Sequence, residues 1–234
     1  MDSDDEAYIL LLLSDGNLPT GSFVASAGLE SFVTHGFFTP IGADGKPKDK
    51  LESIIDFIRD STANYAQTAL AFVSDAHRLV QTLANSMKHP KTSDSKPRNA
   101  FVEDTLRQLS ELDELYETMT LNHVARRASR SQGVALLSLY SKGFTKPAPL
   151  RGSSDGELGP LQTKSPPNVS SFEDDMSAFV DRLKLTVRRE ETHGHLPICW
   201  GVLTAALGLS LAICILDCYI QSRHPTSPTL KKSQ

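Results

Sequence analysis

Residues 18–30 read Leu18-Pro19-Thr20-Gly21-Ser22-Phe23-Val24-Ala25-Ser26-Ala27-Gly28-Leu29-Glu30, and the fold turns on how this stretch is read. Pro19 fixes its own φ and Gly21 opens φ values closed to other residues, so Pro-Thr-Gly separates the apolar run Tyr8–Leu13 from the residues beyond Gly21. The spacing predicts a tight corner, with Ser22 as N-cap and Phe23, Ala27, Glu30 and Ser31 on adjoining positions of a new helix. Gly28 inside such a helix costs about 1 kcal/mol relative to Ala, so another backbone is expected to approach there. On physics alone this is a helix-corner-helix packing unit, and no chemistry is required of it.

Outward from that corner the chain reads as helices joined by polar loops. From Lys50 to Leu83 one long amphipathic helix, or two in succession, is predicted. Leu51, Ile54, Ile55 and Ile58 begin an apolar stripe that Tyr65, Ala69, Phe72, Val73, Ala76, Leu79, Val80 and Leu83 continue. Residues 86–100, with Pro90 and Pro97 among lysines and serines, read as a surface loop. Phe101 to Thr120 is the next helix. Val102, Leu106, Leu109, Leu112, Tyr116 and Met119 mark its buried side, and Glu103, Asp104, Glu111, Asp113, Glu114 and Glu117 are read as its solvated acidic side, with no catalytic pair among them. Residues 143–171 are rich in Pro, Gly and Ser and are expected to be a disordered insertion. Ser171 then caps a helix whose buried side is Phe172, Met176, Phe179, Val180, Leu183 and Val187. The expected fold is therefore all-α, a single-domain bundle over residues 1–211 with two flexible loops, followed by a divergent tail, 212–234.

Two further stretches could carry function. In Asn-His-Val-Ala-Arg-Arg-Ala-Ser-Arg, residues 122–130, Asn122 is a predicted N-cap. Arg126 and Arg130, at i and i+4, share a face on which two guanidinium groups could hold a carboxylate or phosphate. The accompanying inner stripe is expected to be Ala125, Ala128, Gln132, Ala135 and Leu139. In the second stretch His193, His195 and Cys199 have donor atoms suited to nickel or zinc, although no fourth ligand is evident, and no metal or other cofactor is expected of the chain. Behind them, residues 198–216 carry no charge, long enough for a membrane-spanning helix or for one central in a core.

Composition removes several classes. The 234 residues suffice for one domain with a substantial core, and a net charge of −4 gives no basic surplus of the kind nucleic-acid binders carry. Met-Asp-Ser-Asp-Asp-Glu is no secretory leader. An odd count of three cysteines, all in the last quarter, points to reduced thiols and a cytoplasmic setting. No Ser-His-Asp, P-loop or zinc-protease pattern is present, so no enzymatic activity is expected.

Three segments, in this order, resemble the signatures of the UreF family of urease accessory proteins. They are Leu-Pro-x-Gly-x-Phe with Ser-x-Gly-Leu-Glu at 18–30, the Arg-Arg-Ala-Ser run at 126–129, and Gly194-His195-Leu196-Pro197-Ile198-Cys199-Trp200-Gly201. Ala27 departs from the polar residue usual in the first, and Leu196 replaces the second histidine of the third. Family members continue through further helices, so a shortened or variant C-terminus is expected. The resemblance implies a non-enzymatic assembly factor that joins a UreD/UreH-type scaffold protein and a nickel-carrying UreG-type GTPase on apo-urease, with a homodimer as a possible form. It implies partner contacts through Glu30, Arg126, Arg127 and Arg130, and shaping of the fold by Pro19, Gly21, Phe23, Gly28, Pro197 and Gly201. The rival is a membrane adaptor anchored through 198–216, which the likeness to a family with a buried equivalent helix disfavours.

Overall fold

A computed structural model describes residues 3–13, 28–37, 49–88, 98–144 and 167–211. Among them the chain is all-α, without strands: α1 (Ser3–Leu13), α2 (Leu29–Thr34), α3 (Lys50–Lys88), α4 (Arg98–Met119), α5 (His123–Leu139), a π-helical turn at Tyr140–Phe144, α6 (Pro167–Arg188) and α7 (Leu196–Ala206). Pro19, Gly21 and Phe23, the predicted corner, lie outside the described residues, as do 145–166 of the expected insertion and the tail 212–234.

The core is organised around α7, which packs most extensively against α3 and α5. Pro197, Ile198, Cys199 and the run Gly201–Ala205 are all buried. Side chains such as Val202 and Leu203 each contribute on the order of 2 kcal/mol by leaving water. Gly201 sets the approach, since a Cβ there would lie 2.5 Å from the Val73 carbonyl oxygen and 2.9 Å from the His77 nitrogen of α3. No larger residue fits without moving α3. Phe72, Ala76, Val80 and Leu83 from α3, Leu109 and Tyr116 from α4, Leu136 and Leu137 from α5, and Met176, Phe179, Val180 and Leu183 from α6 complete the core.

The apolar run from Ile198 does not continue as one helix. Gly208 adopts a left-handed φ of 76°, its N–H donates to the Ala205 carbonyl, and the Leu209 N–H donates to that of Thr204, which closes α7 as a Schellman motif. Among the described residues no helix is long and apolar enough to cross a membrane.

Other expectations need correction. Gly28 is not inside a helix but precedes α2 at φ 91°, with Phe57 of α3 at van der Waals distance from where its Cβ would be. The anticipated loops are shorter at their edges, because α3 runs to Lys88, α4 starts at Arg98, and α6 starts at Pro167, where a proline in the first turn forfeits no helical hydrogen bond. The α3 stripe is buried from Ala69 onward, whereas Leu51, Ile55, Ile58 and Tyr65 remain exposed. Met119 is exposed as well. On α5 the inner face is Ser129, Gly133, Leu136 and Leu137, rotated from the predicted alanine stripe.

Candidate functional site

The site forms where the last turns of α4, the first half of α5 and the entry to α7 converge. Asn122 caps α5 as predicted, its Oδ1 accepting the N–H of Val124 at 2.9 Å and that of Ala125 at 3.3 Å. This orientation aims Arg126 and Arg130, one turn apart, back at α4. Both reach the same oxygen, Glu117 Oε1: Arg126 Nη1 at 2.9 Å and Arg130 Nη2 at 2.5 Å. The carboxylate that the arginine pair was expected to hold is thus internal. Arg127 points away and is exposed.

The other carboxylate oxygen, Glu117 Oε2, lies 2.7 Å from His195 Nε2. His195 is fully buried, its ring edge against Tyr116, and its Nδ1 has no hydrogen-bond partner. Burial lowers its pKa below 6.5, outweighing the opposing influence of Asp113 and Glu117. The ring is therefore neutral, with Nε2–H donating to Glu117 and Nδ1 left bare and buried. Burial disfavours charge on Glu117 too, but the hydrogen bonds from Arg130 and His195 prevail and bring its pKa down to about 2. It stays a carboxylate at any physiological pH.

Asp113, one turn earlier on α4, holds the backbone of the same segment. It accepts the N–H of Gly194 at 2.6 Å, the N–H of His195 at 3.0 Å and the Thr192 hydroxyl at 2.6 Å. Ser129 Oγ accepts the Leu196 N–H at 3.0 Å. The Leu196 N–H at the start of α7 and the two N–H groups before it are thus satisfied by α4 and α5 side chains. Gly194 sits at φ 72°, and its carbonyl oxygen presses on Gly133 of α5. At the far end of α7, buried His77 of α3 makes a 3.0 Å bond through Nδ1 to Thr204 Oγ1, while its Nε2 is unpartnered. The Thr204 hydroxyl donates to backbone carbonyls of its own helix, so Nδ1 carries the proton.

The candidate metal donors are brought near one another but not into a ligand set. His193 Nε2 pairs with Glu114 at 2.9 Å, His195 is bound to Glu117, and the Cys199 thiol is buried, which raises its pKa well above the usual value. Among the described residues no group of three His, Cys, Asp or Glu could hold a metal ion. Glu30 is exposed on α2. Sequence reasoning missed Asp113 and Glu117, assigning both to the solvated face of α4. Leu106, Leu109, Asp113 and Tyr116 follow one another at helical spacing, and that register was the available signal that Asp113 points inward.

Compared with known proteins, the chain matches the profile of the family described as UreF over residues 49–221. It is 38% identical over 227 residues to urease accessory protein 6 of Cryptococcus neoformans var. grubii, a match covering 88% of this chain and 64% of that protein. It is 25% identical over 210 residues to a Schizosaccharomyces pombe protein named as an uncharacterized UreF-like urease accessory protein, covering 90% of this chain and again 64% of the relative. The chain thus spans less than two thirds of the length of these curated relatives. No solved structure matches it.

Proposed function

This chain belongs to the UreF family of urease accessory proteins, and from that premise we propose that it assists GTP-dependent nickel insertion into apo-urease in the cytoplasm. In this reading it bridges a UreD/UreH-type scaffold accessory protein and a UreG-type GTPase that carries nickel. The match over residues 49–221 supports the reading, because that span includes the arginine run, the Gly-His-Leu-Pro segment and the helices that join them. Nickel is cargo carried by a partner. The chain supplies helical surfaces and no nucleophile.

Within this function Glu30 and Arg127 offer their charges to partners. Arg126 and Arg130 present their outward edges while fixing α5 to Glu117. The test is restoration of urease activity in cells that lack their own family member, with co-purification of scaffold and GTPase scored in parallel. Restored activity with both partners recovered is expected. Expression of folded protein that neither restores urease nor retains either partner overturns the reading.

A further inference from the structure

At the corner between α4 and α5, apolar side chains face water beside the exposed positive charge of Arg127. Leu121 is 88% exposed, Met119 57% and Val124 54%, all within six positions. Burial of such side chains is the main driving force of association, and leaving them in water stabilises nothing. They do not stand alone. Val124 and Arg127 are three residues apart on α5 and share a face, and Arg127 is exposed. On the flank, Arg126 and Arg130 place two positive charges on the single negative charge of Glu117. The neutral His195 adds no compensation. Their side chains remain 35% and 40% exposed, although Arg130 Nε is itself buried without a partner. Arg127 therefore leaves one exposed positive charge without a carboxylate partner among the described residues, next to an apolar knob.

We propose that this corner is a docking surface for an acidic protein segment, one that places an apolar pocket over Leu121, Met119 and Val124 and a carboxylate against Arg127 and the outer edges of Arg126 and Arg130. The inference rests on the accessory-protein reading and narrows it. The contact point is a loop and the first turn of a helix, and the partner's share of it is anionic. A phosphate backbone would satisfy the arginines but would leave the knob in water, which favours protein over nucleic acid. Rigid placement supports this role, because Asn122 caps the turn and the Glu117 pairs fix the arginine rotamers before any partner arrives.

The test uses the full chain and three purified probes, taken one at a time: apo-urease, the scaffold protein and the GTPase of the same organism. Leu121→Asp and Arg127→Glu change exposed side chains, and Arg189→Glu, exposed on the segment after α6, serves as the charge control. Both corner variants are expected to weaken binding of at least one probe about tenfold or more, with wild-type thermal melting and an unaffected control. Wild-type affinity for that probe should also fall as salt is raised. If wild type restores urease in cells and the corner variants bind all probes and restore it equally well, the docking surface is wrong and the accessory role stands. If the variants change only self-association, the occupant is a second copy and the proposal fails. Wild type that binds no probe and restores nothing overturns both.

Discussion

A Cβ on Gly133 would lie 2.0 Å from the carbonyl oxygen of Gly194, so α5 and the turn that leads into α7 meet backbone against backbone. The obstructing atom cannot rotate away as a side-chain end could. Gly133→Ala should therefore force the turn off Ser129 and Asp113, costing about 3 kcal/mol, the upper part of the range for overpacking. Urea denaturation would show the midpoint falling. An unchanged midpoint would mean that the two backbones are farther apart than described.

Asp113 satisfies three donors with one buried carboxylate. Asp113→Ala strands two buried backbone N–H groups, and a loss of about 3 kcal/mol is expected from groups left without partners. Asp113→Asn can still accept and should cost less. Equal stability of both variants with wild type, measured by thermal melting, would remove the assignment of Asp113 as the anchor of α7.

The helical faces of α4 and α6 were legible from apolar spacing, because Leu106, Leu109 and Tyr116, or Met176, Phe179 and Leu183, recur at the period of the helix. The site was half legible. His195 and the arginines were singled out as chemistry-bearing types, but their partners Asp113 and Glu117 look in sequence like any solvated acid. A carboxylate's burial is decided by the segment that folds over it from about 80 residues away in the chain, which local periodicity does not encode. The rotation of α5 was hidden for a similar reason. Gly133 and Ser129 are inside because a backbone and an N–H lie opposite them, whereas alanines form the more apolar stripe. The end of α7 turned on Gly208 rather than on hydropathy, which is uniform through it.

Acid should loosen α7 in two stages. His195 and His77 both have pKa values lowered from 6.5, in each case chiefly by burial. Their unfolded forms take up protons first, so their contribution is present above about pH 6.5 and is lost as pH falls below it. Glu117, at about 2 against an ordinary 4.5, contributes fully above 4.5 and loses its contribution between 4.5 and 2. The one tryptophan, Trp200, lies on α7. Its fluorescence, followed in urea at stepped pH, should give a midpoint that is constant above about pH 7, declines as pH falls below about 6.5 and declines further below about 4.5. A midpoint flat from about pH 7 to 5 would contradict the neutral buried imidazoles.

Glu190 closes α6 from a left-handed backbone, at φ 59°. Its N–H donates to the Val187 carbonyl, and the Glu191 N–H donates to that of Thr186, the hydrogen bonds of a Schellman motif. Glycine usually takes this position, because a Cβ in the left-handed region crowds the following carbonyl at a cost of roughly 1–2 kcal/mol. The glycine of this connection stands four residues later instead, since Gly194 is needed where a Cβ would meet Val187 at 2.7 Å. Glu190→Gly should remove the strain and lose part of the gain to the greater freedom of an unfolded glycine, leaving about 0.5 kcal/mol of net stabilisation. Glu190→Ala keeps the Cβ and should give no gain. If glycine lowers the urea midpoint as alanine does, the Glu190 side chain has a stabilising role that outweighs its backbone strain, and the account of how α6 ends is wrong.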